Sequence, residues 1–162
     1  ADTDVIVAGF SEPLISLNLE TRNVRWRIDA GGTSAPVLDR EWVIHGGGDG
    51  KLRSVDVLTG APRWVWEAPS SGSLTQPVIT KAGVLVGSST ESLYLIDEDS
   101  GEERWAFEPG YTVSGISANV AVDGRQVVVV TNAGRIMSLV VPGKIGDWAK
   151  DVLVMPKVGI NE

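Results

Sequence analysis

The segment "SVDVLTGAPRW" (Ser54 to Trp64) decides the fold, because its pattern recurs along the chain. Two short apolar stretches flank a group of turn-forming residues, and the second stretch ends in Trp. Asp56 and Thr59 can accept hydrogen bonds from nearby backbone amides, and Gly60 can adopt the left-handed conformation that closes a tight turn. The segment therefore predicts a β-hairpin that carries a Trp on its returning strand.

Three other segments align with this one, and the four Trp residues follow one another at intervals of 38, 41 and 43 residues. The third copy retains the full pattern, whereas the first has Arg22 where Gly is expected. The fourth has Val140 in place of Asp and a displaced Pro-Gly pair at 142–143, so we expect its turn to be irregular. The aligned segments are "SLNLETRNVRW" (16–26), "LIDEDSGEERW" (95–105) and "SLVVPGKIGDW" (138–148).

Two further short apolar runs precede the hairpin in the later units. They are "APVL" and "WVIHG" in the second unit, "QPVIT" and "VLVG" in the third, and "SANVAV" and "QVVVVT" in the fourth. No segment has the 3.6-residue periodicity of a long helix. Four antiparallel strands in about 40 residues, repeated, are typical of a β-propeller blade. We therefore predict an all-β chain, a single propeller domain over residues 1–162, with blades at about 1–28, 33–67, 75–108 and 115–149.

Composition excludes several classes of function. The net charge of −7 would repel nucleic acid and anionic membrane surfaces. The absence of Cys excludes disulfides, thiolate metal sites and thiol nucleophiles. No apolar run approaches the roughly 20 residues that cross a bilayer, and the first residues do not resemble a signal peptide. We expect a soluble chain without direct membrane insertion, which is either cytoplasmic or separated from its export signal.

The hairpin pattern resembles the Trp-docking motif of the PQQ-type (quinoprotein) β-propeller repeat, over roughly residues 5–148. The usual motif is Ala, any residue, Asp, two residues, Thr-Gly-Lys, two residues, Trp. The resemblance implies that each Trp wedges between adjacent blades and donates its indole N–H to the neighbouring blade. The residues to which it assigns this docking role are Trp26, Trp64, Trp105, Trp148, Asn18, Asp56, Thr59, Gly60, Asp97, Ser100 and Gly101.

The family includes quinoprotein dehydrogenases, outer-membrane assembly lipoproteins of the BamB type and the sensor domains of some kinases. The dehydrogenases carry vicinal Cys residues and an acidic set that holds calcium, and neither can be matched in this sequence. We therefore predict no catalytic, cofactor-binding or metal-binding residue, and no cofactor. The resemblance favours a non-catalytic periplasmic scaffold that binds protein partners in a BamB-like role. The alternatives are a piece of a PQQ-dependent dehydrogenase and a ligand-sensing extracytoplasmic domain.

Other candidate motifs have structural explanations. His45 is the only His, so no His-dependent triad or multi-His metal site can form within the chain. "GGGDGK" (46–51) lacks the spacing of a phosphate-binding loop. "DEDSGEE" (97–103) has Glu102 where a calcium-binding loop needs Gly. Trp42 and Trp66 lie outside the docking pattern, and each is either buried or an exposed binding aromatic.

A rigid display surface remains as the candidate binding site. In a blade of four antiparallel strands, the loop between the second and third strands lies at the same face as the loop that leads into the next blade. Loops that converge on one face are where a scaffold usually binds. We predict Phe10, Asp49 and Tyr111 as partner-binding residues, with the opposite face as the alternative.

The first unit opens on "VIVAGF", which corresponds to the second strand of the other units. After Trp148, "MPKVG" (155–159) resembles the first strand of a unit, so residues 150–162 are a candidate closing strand. This strand could complete a ring of four blades or, by exchange between two copies, a homodimeric ring of eight. Alternatively, the chain is about half of an eight-bladed ring. Each alternative supplies a partner for a sheet edge that would otherwise promote aggregation.

Overall fold

The computed structural model describes residues 4–9, 12–32, 34–110 and 115–140, and in these ranges the chain forms β-strands and no helix. The first sheet contains β1 (Asp4–Gly9), β2 (Glu12–Asn18) and β3 (Val24–Ile28). The second contains β4 (Val37–Asp39), β5 (Trp42–Gly46), β6 (Lys51–Asp56) and β7 (Pro62–Glu67). The third contains β8 (Val78–Thr80), β9 (Gly83–Gly87), β10 (Leu93–Ile96) and β11 (Glu103–Phe107). The fourth contains β12 (Ala121–Asp123), β13 (Gln126–Val130) and β14 (Ile136–Val140).

Within each sheet, every strand pairs antiparallel with the strand that follows it in the chain. The prediction of an all-β chain built from repeated antiparallel sheets is therefore confirmed. The second and third sheets have the four strands expected of one unit. In the first sheet, β1 lies at an edge and corresponds to the second strand of the other sheets. The candidate closing strand at 150–162 lies outside the described residues.

The four sheets share one register. The strand before each central turn pairs with the strand after it through an equivalent apolar pair in every sheet. These pairs are Val5–Leu17, Val43–Val55, Val84–Ile96 and Val127–Leu139. The hairpin that follows contains a bulge at the same place in the first three sheets. This common register makes residue-by-residue comparison of the sheets meaningful.

The core consists of three layers of apolar side chains, each between two successive sheets. Alternation along each strand sends neighbouring side chains to opposite faces, so one sheet contributes to two layers. In the third sheet, for example, Val84 and Ile96 pack towards the second sheet, while Leu85 and Leu95 pack towards the fourth. All four side chains are fully buried. A strand buried on both faces needs a nearly continuous apolar run, which explains sequences such as "VLV" and "VVVV".

Candidate functional site

The turn at residues 56–61 is organised by one carboxylate. Asp56 Oδ1 accepts hydrogen bonds from the backbone N–H groups of Leu58 and Thr59, at 3.0 and 2.7 Å, and from the Thr59 hydroxyl at 2.8 Å. The hydrogen bonds from Thr59 are the main reason that the pKa of Asp56 lies below its usual value. Gly60 closes the turn with a φ of +71°, where a side chain is disfavoured. The turn chemistry expected from the sequence is therefore present.

The turn at residues 97–102 repeats this arrangement. Asp97 Oδ1 accepts hydrogen bonds from the N–H groups of Asp99 and Ser100, each at 2.8 Å. Its other oxygen pairs with the Arg104 guanidinium. Partial burial acts to raise the pKa of Asp97, but the backbone hydrogen bonds and Arg104 outweigh it, and the pKa is lowered. Gly101 has a φ of +75°.

Two Trp side chains cross from one sheet to the next. The Trp26 indole N–H donates to the Val57 carbonyl oxygen at 3.0 Å, and the Trp64 indole N–H donates to the Glu98 carbonyl oxygen at 2.9 Å. Each Trp is only 8% exposed. A buried indole requires an acceptor for its N–H, and in both cases the turn of the next sheet supplies it.

Each of these Trp rings lies directly against the turn glycine of the next sheet. A Cβ added to Gly60 would lie 2.8 Å from the Trp26 ring, and one added to Gly101 would lie 2.7 Å from the Trp64 ring. These separations are shorter than a side-chain carbon can tolerate. Two features therefore favour glycine at each position. One is the left-handed backbone conformation, and the other is the Trp ring that covers the residue.

The remaining aromatic residues differ from this pattern. Trp105 is half-buried and stacks with Phe107, with 5.9 Å between ring centroids. Trp148 lies outside the described residues. Trp42 and Trp66, which the sequence left as either buried or exposed, are both half-buried. The Arg63 guanidinium lies over the Trp42 ring at 4.6 Å, and Trp66 packs against Tyr94.

The first turn keeps the polar cap but not the glycine. Asn18 Oδ1 accepts hydrogen bonds from the N–H and hydroxyl groups of Thr21, at 2.8 and 2.9 Å. Arg22 occupies the glycine position with a φ of +59°, so the left-handed conformation is retained with a Cβ present. Arg25, which precedes Trp26, pairs with Asp4 in the same sheet at 2.9 Å. The hydrogen bond from Arg25 lowers the pKa of Asp4.

Two contacts between the second and third sheets were not anticipated from the sequence. Arg63 pairs with Asp99 across the junction, at 2.6 Å. An Arg precedes the Trp in each of the first three hairpins, and this repetition was the only feature of the sequence that could have indicated a contact for Arg63. Glu98 shares a hydrogen bond with the Asp39 carboxyl group, and this contact, together with burial, raises the pKa of Glu98. Nothing in the repeat pattern predicts this carboxyl pair.

The central loop of each later sheet and the connections between sheets were expected to lie at one face. Backbone hydrogen bonds join these loops to one another. The Gly48 N–H donates to Gly31 O at 2.7 Å, between the central loop of the second sheet and the connection that precedes it. The Ser89 N–H donates to Ser73 O at 2.9 Å in the same relation within the third unit. Further bonds tie each connection to the preceding sheet, including Leu74 N–H to Gly47 O at 3.1 Å. The loop face of the second to fourth sheets is therefore a continuous hydrogen-bonded surface.

A polar hollow of about 270 Å³ lies in this loop face. The Ser34 hydroxyl donates to Gly46 O at 2.6 Å, and the Thr75 hydroxyl accepts from the Gly87 N–H at 2.9 Å, so both are fixed by the backbone. The exposed Asn119 amide donates to the Gln76 side chain at 3.3 Å. None of the described residues that line the hollow is charged. The lining residues are Ser34, Ser73, Leu74, Thr75, Gln76, Ser89, Ser117 and Asn119.

A second hollow, of about 350 Å³, lies between the first and second sheets on the same face. Asp49, predicted to bind a partner, lies on its rim and forms an ion pair with Arg53 at 2.6 Å. The hydrogen bond from Arg53 lowers the pKa of Asp49. Arg27 and Glu12 also line this hollow. The other two predicted partner-binding residues, Phe10 and Tyr111, lie outside the described residues.

His45 is buried beneath the loop face, with none of its surface exposed. Its Nε2 lies 2.8 Å from Ala30 O, in the connection between the first two sheets. Burial, only partly offset by this hydrogen bond, lowers the pKa of His45 and favours the neutral ring. A neutral ring that donates from Nε2 fits this geometry. The expected structural role of His45 remains a prediction that this position supports.

Among the described residues, no three His, Asp or Glu side chains come together in a way that could hold a metal ion. The polar hollow also has no cationic side chain that could pair with the carboxylates of a quinone cofactor. The described residues therefore do not fit the calcium and quinone of the dehydrogenases. Within the same residues, no helix has the length and apolar character required to cross a membrane.

Comparison with known families gives a match over nearly the whole chain. The model of the PQQ_2 family, described as outer membrane protein assembly factor BamB, matches residues 1–152. The chain belongs to this family. A search of curated proteins by sequence gives no match. The four antiparallel sheets are accordingly those of a PQQ-type β-propeller or part of one.

Solved structures with similar folds include an assembly factor, a designed protein and a dehydrogenase. BamB from Moraxella catarrhalis matches with a TM-score of 0.71 and 17% identity, over 84% of this chain and 46% of that one. The computationally designed Ika4 protein matches with a TM-score of 0.71 and 14% identity, over 88% of each chain. Quinohemoprotein alcohol dehydrogenase from Comamonas testosteroni matches with a TM-score of 0.68 and 16% identity, over 85% of this chain and 32% of that one. The chain thus spans about half the length of the BamB structure, and at these identities the likeness concerns the fold alone.

Proposed function

We propose that this chain is a non-catalytic propeller scaffold that binds protein partners through its loop face, in a BamB-like role in the assembly of outer-membrane proteins. The observation that carries the proposal is the polar hollow, whose walls come from three successive sheets. Backbone hydrogen bonds fix the loops around it before any partner arrives. A preorganised surface loses little conformational entropy on binding, so weak polar contacts suffice for affinity.

The chemistry of the hollow favours an extended peptide segment as its ligand. Hydroxyl and amide groups can both donate and accept hydrogen bonds, which suits the N–H and C=O groups of an unpaired main chain. The absence of charge from the lining makes binding independent of the ligand's side-chain charge. Extended segments of an outer-membrane protein that has not yet folded present such main-chain groups. This agrees with the family description of an assembly factor.

The predicted docking residues have a supporting role in this proposal. Trp26 and Trp64 with Gly60 and Gly101 would lock successive sheets, and Asn18, Asp56, Thr59, Asp97 and Ser100 would shape the turns on which the rings rest. The contacts described above support this role for the first three sheets. For Trp105 and Trp148 the role is carried by the repeat pattern alone. Locked sheets would hold the loop face rigid.

Location in the periplasm and assembly with other proteins follow from the family and are part of the proposal. Completion of an eight-bladed ring by a second copy of the chain remains a prediction. The proposed binding surface includes the predicted contact residue Asp49 at its edge, and Phe10 and Tyr111 are predicted to extend it.

Binding of the purified chain to an outer-membrane assembly complex that lacks its BamB-type factor tests this proposal. Ser117→Lys places a bulky charge at the rim of the hollow, and we expect it to weaken binding at least tenfold in calorimetry. Glu102→Lys also introduces a lysine, in an exposed hairpin turn away from the loop face, and serves as the control for a nonspecific effect of added positive charge. Equal losses in the two variants, or no binding by the original chain, would contradict the proposal.

The second candidate function is that of a quinoprotein dehydrogenase unit whose cofactor residues lie in other blades. The likeness to quinohemoprotein alcohol dehydrogenase supports it at the level of the fold. Equilibrium dialysis of the chain against pyrroloquinoline quinone and Ca²⁺ tests whether any part of such a cofactor site lies in this chain, and retention of the cofactor would favour the second candidate. We expect no retention of the cofactor, because the described residues offer neither a group of cation ligands nor a cationic residue in the hollow.

A further inference from the structure

The second hollow, between the first and second sheets, differs from the polar hollow in its charge. Its lining includes Glu12, Arg27, Asp29 and Asp49. Asp49 is neutralised by its ion pair with Arg53, at 2.6 Å. Among the described residues, the other three charged side chains form no ion pair with one another or with any further group. Two unpaired carboxylates against one unpaired guanidinium give this hollow an excess of negative charge.

One loop, residues 46–49, lies between the second hollow and the polar hollow. The carbonyl groups of its first two residues accept hydrogen bonds from the Ser34 hydroxyl and the Leu74 N–H, at 2.6 and 3.1 Å. Ser34 and Leu74 both line the polar hollow. The last residue of the loop, Asp49, lines the second hollow. The wall between the two hollows is therefore a single stretch of main chain.

This wall has a glycine at its exposed point. Gly48 is exposed, whereas the two residues before it are buried. The Gly48 N–H donates to Gly31 O at 2.7 Å, which holds the loop against a residue that lines the second hollow. A Cβ added to Gly48 would lie only 3.2 Å from the same oxygen, so the close approach favours glycine here. An extended chain that passes over Gly48 from one hollow to the other meets no side chain at that residue.

Charge selection by the polar hollow alone is not expected, since none of its described lining residues is charged. The second hollow can supply it. A Lys or Arg side chain of the ligand would be attracted to Glu12 and Asp29 without having to break an ion pair, whereas an acidic side chain would be repelled by both. The four-residue loop between the hollows spans at most about 10 Å, which an extended peptide crosses in about three residues.

We propose that the two hollows form one site for an extended peptide segment that carries a basic side chain. The main chain of the segment lies in the polar hollow, and its Lys or Arg lies beside Glu12 and Asp29. This inference rests on the proposed function and names the class of segment that the site selects. The basic residue is about three positions from the uncharged stretch, in keeping with the width of the wall. Arg27 opposes the attraction and keeps the preference moderate.

Three dye-labelled synthetic peptides test the proposal. Each is a nine-residue alternation of Thr and Ala, and the peptides differ only in the central residue, which is Lys, Gln or Glu. In fluorescence anisotropy at low salt, we expect the Lys peptide to bind about fivefold more tightly than the Gln peptide, and the Glu peptide to bind most weakly. The double variant Glu12→Gln/Asp29→Asn should abolish this preference. Arg27→Gln should increase it, because the variant removes the opposing charge.

The matched control is Glu20→Gln/Glu102→Gln, which neutralises two exposed carboxylates in hairpin turns away from the loop face. This variant should keep the preference for the Lys peptide. Equal loss of preference in the two double variants would show that the net charge of the chain attracts the peptide, and would overturn the proposal. Equal affinities of the original chain for all three peptides would overturn it while leaving the proposed function intact. No binding of any peptide would contradict the proposed function and this inference together.

Discussion

The third sheet and the first sheet carry equivalent apolar faces, but among the described residues only that of the third sheet is covered by another sheet. The cross-strand pairs Val84–Ile96 and Val5–Leu17 occupy equivalent positions, and both are apolar. The adjoining turns also differ, because Gly101 lies under a Trp ring and Arg22 has a side chain in the same left-handed conformation. Arg22 shows that a side chain can be present in this left-handed conformation, so in the later turns it is the Trp ring above Gly60 and Gly101 that leaves no room for one.

The largest expected effect is loss of a Trp that crosses a junction. Trp64→Ala should lower the free energy of unfolding by about 3 to 5 kcal/mol, because it leaves a cavity between two sheets and an unpaired carbonyl at Glu98. Chemical denaturation followed by fluorescence measures the change. Trp26→Ala should give a similar loss at the first junction. A loss below about 1 kcal/mol for either variant would contradict the docking role.

The glycine position provides a paired experiment in which the two sheets should respond with opposite sign. Gly101→Ala should cost about 2 to 4 kcal/mol, because a Cβ in the left-handed region is unfavourable and collides with Trp64. Arg22→Gly should change stability by between zero and about 1 kcal/mol in the favourable direction, since it relieves the same backbone conformation with no ring above it. If the loss of stability in Gly101→Ala were equal in size to the gain in Arg22→Gly, the Trp ring would contribute nothing to the requirement for glycine.

The repeat made most of the fold predictable from the sequence. Hairpin turns depend on local chemistry, so Asp56, Thr59 and Gly60 could be assigned to a turn without knowledge of the remaining chain. The period of about 40 residues then indicated four-stranded units. The alternation of apolar residues was less informative, because strands buried on both faces lose it.

The site was less predictable, because its contacts join residues that are distant in sequence. The partner of Arg63 depends on the rotation of one sheet against the next, and nothing local distinguishes Asp99 from the other carboxylates of its turn. The polar hollow collects side chains from Ser34 to Asn119, each of which is unremarkable within its own loop. Asp49 was predicted to bind a partner, and its ion pair with Arg53 could not be foreseen from the sequence. Such pairings can be identified only from the three-dimensional structure.

The pH dependence of stability should distinguish His45, which is buried beneath the loop face, from the carboxyl groups of the exposed turns. Burial lowers the pKa of His45 below its ordinary value of 6.5, so the unfolded chain takes up a proton more readily than the folded chain. His45 thus contributes stability that is complete above pH 6.5 and is lost as the pH falls towards its folded pKa. His45→Gln retains a donor towards Ala30 but does not titrate. We expect the melting temperature of the original chain to decline more steeply from pH 7 to pH 5 than that of this variant.

The difference between the two proteins isolates His45, because the carboxyl groups of the turns titrate equally in both. Glu98 acts in the opposite direction, since its raised pKa favours the folded chain at low pH. Parallel pH profiles for the original chain and the variant would show that the His45 ring is accessible to protons in the folded state.

The smallest expected effect is at the ion pair that distinguishes the junction of the second and third sheets. Asp99→Asn should cost about 0.5 kcal/mol or less, because the Asp99 side chain is 90% exposed and water screens the pair. Arg63→Ala should cost more, since it also removes the guanidinium from the Trp42 ring. A double-mutant cycle in 50 mM and 500 mM salt measures the coupling itself. Coupling that disappears at high salt would show that the pair is a screened surface contact that affects which sheets meet more than how tightly they hold. Coupling above about 1.5 kcal/mol in both salts would show that the pair also holds the two sheets together.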